Sequence, residues 1–229
     1  MLRLKSKHRL LCGDSTDKAD VDRLMDGSKA DMVFTDPPYG IGESNSDFKS
    51  RGDGGGIAKA TGKSYITNYK RSDWDNNIPD KAAFDLMKEN SKHQIIFGGN
   101  YFTKFLEPTP SWVVWNKKNS GDFADCELAW TSHKKACRLY EQTWNGMIRE
   151  GETGKRVHPT QKPIALAEWC FEKYGDPKTV LDLFLGSGST LIACEKTNRQ
   201  CYGMEIDPHY CSVIIKRYED YSGKKAIHA

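Results

Sequence analysis

No apolar run in these 229 residues approaches the roughly 20 residues that a membrane-spanning helix needs. The opening stretch from Met1 to Leu11 is too basic and too poor in apolar side chains for a signal peptide, which points to the cytoplasm. No Cys-x-x-Cys pair occurs, and the seven cysteines are odd in number, so neither a zinc site nor a disulfide framework is indicated. Cys194, Cys201 and Cys211 sit in apolar surroundings, where a free cysteine packs as a small hydrophobe. Neither sign of charge dominates: 34 Lys and Arg face 31 Asp and Glu, a net +3, too mild to require a nucleic-acid partner and not opposed to one. There is no internal repeat, no low-complexity stretch and no second domain boundary. The length suits one domain, residues 1–229, with room for a large insertion.

What is present begins with Thr35-Asp36-Pro37-Pro38-Tyr39-Gly40, which follows an apolar strand candidate at 31–35. Two prolines lack the N–H that a sheet ladder needs, and each pushes its predecessor into an extended conformation. The arm is therefore stiff. It presents one carboxylate, carbonyls with no competing N–H, and one aromatic face. Those parts suit a planar ring bearing an amine, and they equally suit a proline turn with a chance aromatic.

Along the chain, Leu10-Leu11-Cys12 reads as a strand end, with Asp14 or Ser15 as a cap for a helix carrying Val21, Leu24 and Met25. Between 41 and 78 the pattern dissolves into six glycines, six Lys/Arg and five Asp/Glu, with Tyr65, Tyr69 and Trp74 among them. That mix fits either nucleic-acid contact or a mobile surface insertion. A helix is expected over 80–91 and strands over 94–97, 112–115 and 126–130. The segment 131–157, with six Lys/Arg against three acids, is the most basic of the chain. It reads as a DNA-recognition segment or as a solvated hairpin. Pro163 fits the first position of a helix to about Tyr174. Strands at 179–184 and 200–206 and helices at 189–197 and 208–221 follow. Strands alternating with helices imply right-handed crossovers and a doubly wound, mostly parallel α/β sheet.

Leu185-Gly186-Ser187-Gly188 joins a buried strand to a helix. Its glycines admit a ligand where a Cβ would collide, and the helix start offers free N–H groups. The third glycine of a dinucleotide fingerprint is missing, its place taken by Leu191, so a nicotinamide-type pyrophosphate fits poorly. A nucleoside fits better, with Glu205 placed at the end of the next strand to accept from ribose hydroxyls. A tight turn and a surface acid is the competing reading.

Asp-Pro-Pro-Tyr at 36–39, His-Pro-Thr-Gln-Lys-Pro at 158–163 and Asp-Leu-Phe-Leu-Gly-Ser-Gly-Ser-Thr at 182–190 together resemble the S-adenosylmethionine-dependent DNA amino-methyltransferases. Their order resembles the beta class, whose catalytic motif precedes the target-recognition region and the cofactor loop. Gly-Asp-Ser at 13–15 is similar to the motif that opens such chains. The resemblance implies a circularly permuted, seven-stranded Rossmann-like sheet, double-stranded DNA as partner, and often a homodimer. It implies catalytic roles for Asp36, Pro37, Pro38 and Tyr39. It places Phe184, Gly186 and Gly188 on the cofactor's methionine side, Asp182 at its amino group, Glu205 at the ribose and Asp14 at the adenine amine. Thr160 and Lys162 would help close over the carboxylate, although a solvated loop lysine is the alternative for Lys162. Lys134, Lys135 and Arg138 become the expected DNA contacts. Asp in the first clamp position favours the N6 amine of adenine, with the N4 amine of cytosine as rival and a catalytically silent DNA-binding module behind both. No cysteine stands in a nucleophile context, which argues against carbon methylation of cytosine.

Overall fold

The computed structural model describes residues 2–4, 8–41, 76–119, 124–144, 149–152, 157–158 and 161–228. Most of the 41–78 insertion, Thr160 and parts of 131–157 lie outside the described residues. In chain order the elements are β1 (Leu2–Leu4), β2 (Arg9–Cys12), α1 (Lys18–Met25), β3 (Ala30–Thr35), α2 (Lys81–Glu89), β4 (Ser91–Phe97), β5 (Trp112–Asn116) and β6 (Cys126–Thr131). They continue with β7 (Arg138–Glu141), α3 (Ile164–Lys173), β8 (Thr179–Asp182), α4 (Ser189–Lys196), β9 (Gln200–Glu205), α5 (Pro208–Ser222) and β10 (Ala226–His228).

All described strands join one sheet in the order β10-β1-β2-β9-β8-β3-β4-β6-β5-β7. The five strands from β2 to β4 are mutually parallel, and β6 runs against both its neighbours. Seven strands, β2 to β5 in sheet order, make up the expected core. The terminal pair β1 and β10 and the edge strand β7 extend it to ten. Side chains alternate between the two faces, as a pleat requires. Met32 and Phe34 join a core with α3, α4 and α5, whereas Val33 joins one with α1 and α2. Helices thus cover both faces, and the central strands read as continuous apolar runs because both faces are buried.

Several local expectations shift. Asp17, rather than Asp14 or Ser15, caps α1 by accepting from the Ala19 N–H at 2.8 Å. Helix α2 stops at Glu89, and Ser91 opens β4 with its hydroxyl donating back to the Met87 carbonyl at 2.6 Å. Pro163 is the N-cap of α3 rather than its first residue. The start of the basic segment is no solvated hairpin, because β7 pairs in parallel with β5. Cys170, Cys194, Cys201 and Cys211 are buried. Among the described residues no helix is long and apolar enough to cross a membrane.

The crossover from β8 leads to β9 on one side, while β3 is followed by β4 on the other. The order therefore reverses between β8 and β3, and ligands bind at the carboxyl ends of strands at such a point. Asp182 and Asp36 both line the cavity there, although more than half of the chain separates them in sequence.

Candidate functional site

A cavity of about 260 Å³ opens at this switch point. Asp14, Asp36, Pro38, Lys162, Asp182, Phe184, Gly186 and Glu205 line it, so one place gathers most of the residues singled out by their motifs. His158, Ile206 and Tyr210 also line it and were not anticipated individually.

On the glycine-loop side, the Asp182 carboxylate is buried and ties three elements together. One oxygen accepts from the Thr35 hydroxyl at 2.7 Å and from the Phe184 N–H at 3.1 Å; the other accepts from the Thr190 hydroxyl at 2.6 Å. Burial pushes its pKa up to about 6 against the pull of those hydrogen bonds. Glu205 accepts from the Gly186 N–H at 2.8 Å and from the Asp207 N–H at 2.9 Å. Burial raises its pKa to about 7 despite both bonds. A carboxylate has more lone pairs than those two bonds occupy, so Glu205 keeps accepting capacity on the cavity wall. Gly186 and Gly188 both have positive φ, +54° and +81°. Only Gly186 lines the cavity. A Cβ on Gly188 would come 3.2 Å from Ile214, so this glycine serves the packing of α4 on α5.

The clamp side is more tightly wired than its motif suggests. Tyr39 donates its hydroxyl to Asp36 Oδ1 at 2.5 Å. Its ring lies over Gly98, where a Cβ would stand 2.1 Å from Tyr39 Cε1, and φ at Gly98 is +69°. The exposed Tyr101 ring stacks on Tyr39 at 4.9 Å and 12°. Lys162 donates to Asp36 Oδ2 and stands 2.9 Å from Glu127 Oε2. Lys117 in turn pairs with Glu127 Oε1. Burial alone would discharge Lys162, but Asp36 and Glu127 outweigh it and hold the ammonium above its ordinary pKa. Burial works against Glu127 as well, and Lys162 and Lys117 overcome it, bringing its pKa to about 2. Asp36 goes the other way, pushed up by burial and by Glu127 against the pull of Lys162. Pro37 is buried.

Glu127 and Lys117 were missed by the sequence reading. The available signal was one acid within the otherwise apolar Cys126-Glu127-Leu128-Ala129-Trp130. Lys162, expected at the cofactor, lines the cavity and also bridges two carboxylates, and its own carbonyl accepts from Ser189 at the start of α4 at 2.8 Å. The structure does not bring Lys134, Lys135 and Arg138 to the clamp. Arg138 opens β7, four strands away from β3. Lys135 donates to the Lys173 carbonyl at 2.7 Å, at the end of α3 from which the chain turns to begin β8. That is the sheet edge opposite the cavity.

Comparison with known proteins bears on the family and the fold. The family profile described as DNA methylase matches residues 88–217, more than half of the chain. The Type II methyltransferase M2.DpnII of Streptococcus pneumoniae is 25% identical over 85% of this chain and 84% of its own length. Among solved structures, the M1.HpyAVI–SAM complex superposes with a TM-score of 0.55 at 20% identity, covering 91% of this chain and 98% of that one. The PvuII cytosine-N4-specific DNA methyltransferase superposes with a TM-score of 0.58 at 14% identity, covering 94% and 87%. With a doubly wound sheet, a glycine loop and a carboxylate clamp at one switch point, this chain belongs to the DNA methylase family. It is a DNA methyltransferase, and S-adenosylmethionine is its cofactor.

Proposed function

We propose that the protein transfers a methyl group to the N6 amine of adenine in double-stranded DNA, as a beta-class enzyme acting on a base rotated out of the duplex. The observation that carries this reading is that Asp36 and Pro38, from the 36–39 arm, line the same cavity as Glu205 and Gly186. An amine inside a duplex cannot reach a buried site, so the base must leave the stack. Tyr39 supplies the face on which the ring stacks. Asp36 and the Pro37 carbonyl accept the two amine hydrogens, drawing the nitrogen lone pair out of the ring plane. Pro38 keeps the arm extended. On the other wall, Glu205 accepts from ribose hydroxyls, Asp14 from an adenine amine, and Phe184 gives an apolar surface. Bound S-adenosylmethionine supplies an electrophilic methyl group on a sulfonium. The acceleration comes from positioning and charge stabilisation, with no covalent enzyme intermediate.

Asp36 supports adenine, through the resemblance that associates Asp with N6 and Ser with N4 transfer. The likeness in fold to a cytosine-N4-specific enzyme supports the second reading, N4-methylcytosine, which the same clamp could produce. Incubation with methyl-labelled cofactor and mixed-sequence plasmid, followed by nucleoside mass spectrometry, separates them. N6-methyladenine is expected; N4-methylcytosine alone would replace the first reading with the second.

A further inference from the structure

In the resting site both oxygens of the Asp36 carboxylate already accept hydrogen bonds, one from Tyr39 and one from the Lys162 ammonium. Each oxygen can accept once more, so an incoming amine that uses this carboxylate would share it with both donors. Lys162 is the one that matters electrostatically. As the amine nitrogen takes the methyl group it becomes cationic, and an ammonium on the same carboxylate would compete with that developing charge. Yet Lys162 cannot simply be released, because its side chain is only 11% exposed and a buried ammonium without a partner is costly.

Glu127 answers this. Its side chain is also largely buried, at 19% exposure, and its Oε2 pairs with the Lys162 ammonium at 2.9 Å. Its other oxygen is anchored by Lys117, which fixes the carboxylate in place. We propose that Glu127 is a positioning residue for methyl transfer: it takes over the Lys162 ammonium when the target amine takes over Asp36. The proposal rests on the amine-methyltransferase reading above and adds to it a residue that does not itself touch the substrate. The movement required is a turn of one ammonium between two carboxylates it already contacts, with no new charge buried. Lys117 is then what keeps Glu127 ionised and still during that exchange.

The test is a steady-state comparison of the full-length wild type with Glu127→Gln, at varied DNA and varied S-adenosylmethionine. In Glu127→Gln, Lys162 stays on Asp36, so kcat is expected to fall on the order of tenfold or more, the scale of breaking a buried charge pair. KM for the cofactor stays near wild type, the melting temperature falls because Lys117 loses its charged partner, and Glu127→Asp recovers part of the rate. Adding Glu127→Gln to Lys162→Met should cost nothing beyond Lys162→Met alone, since no ammonium remains to be held. If Glu127→Gln fails to fold because Lys117 loses its partner, Lys117→Met/Glu127→Gln removes both charges and carries the same comparison. A wild-type kcat in Glu127→Gln, or an undiminished loss in the Lys162→Met background, would overturn the proposal. Absence of transfer by the wild type would instead overturn the methyltransferase reading, and this proposal with it.

Discussion

The Thr35 hydroxyl donates to Asp182 Oδ1 at 2.7 Å, joining the strand that ends in the clamp to the strand that ends in the glycine loop. Both groups are buried, with Thr35 1% and Asp182 3% exposed. This bond reinforces the β3–β8 backbone pairing across the switch point and ties the two halves of the site together. Thr35→Val keeps the shape and removes the donor. A buried acceptor losing one of its donors costs about 1–3 kcal/mol. Chemical denaturation should register that loss, and methyl transfer should fall more than cofactor affinity does, because the clamp moves relative to an intact glycine loop. Equal loss of both would place the bond in general stability alone.

Asp182 also makes a pH-dependent contribution whose sign is fixed. Its pKa is about 6 in the folded protein, against an ordinary 3.8, so the folded state holds the proton more tightly. The stability linked to it is complete below about pH 4 and is lost as pH rises towards 6. Asp182→Asn does not titrate. Its destabilisation relative to wild type should therefore shrink between about pH 4 and pH 7, as read by urea denaturation at several pH values. A difference that grows with pH would contradict the burial-driven shift.

At Glu205 the linkage concerns the cofactor. The ionised carboxylate accepts hydrogen bonds from hydroxyls, whereas the protonated form surrenders part of that capacity. With a pKa of about 7 in the folded protein, cofactor affinity should weaken as pH falls through 7. Glu205→Ala should weaken binding by about 1–3 kcal/mol at pH 8 and abolish the dependence. Calorimetric titration at three pH values checks both parts, and a flat wild-type profile would remove Glu205 from the ribose role.

Gly98 is the seat of the clamp's aromatic ring. Both its φ of +69° and the 2.1 Å approach of Tyr39 Cε1 exclude a side chain. Gly98→Ala should displace Tyr39, cost about 1–3 kcal/mol of stability, and depress methyl transfer while leaving the glycine-loop side intact. Near-normal turnover at unchanged melting temperature would mean that the ring position does not matter.

These contrasts show where the sequence was informative. Asp36, Asp182, Gly186 and Glu205 were legible because each sits where a buried strand ends, and strand ends are marked by apolar runs stopped by proline or glycine. The core strands were legible for the same reason. β7 was not, because an edge strand with one exposed face carries a weak pattern, and basic Arg138 hides it further. The Lys162–Glu127–Lys117 chain was hidden because its members lie in three separate segments, and only the fold brings them together. Sequence reading gave Lys162 to the cofactor, and the structure also joins it to Asp36. Lys134, Lys135 and Arg138 were singled out by local charge density as a grip on DNA, and the topology places Arg138 on the edge strand β7, away from the clamp.

The central claim is that the Asp36 carboxylate acts on a DNA amine and not on the cofactor. The most direct measurement is methyl incorporation into plasmid DNA by Asp36→Ala beside wild type, with cofactor affinity of both determined by calorimetry. The account predicts N6-methyladenine from the wild type, no detectable transfer by Asp36→Ala, and cofactor dissociation constants that agree closely. Transfer by a folded Asp36→Ala at a near wild-type rate would contradict it.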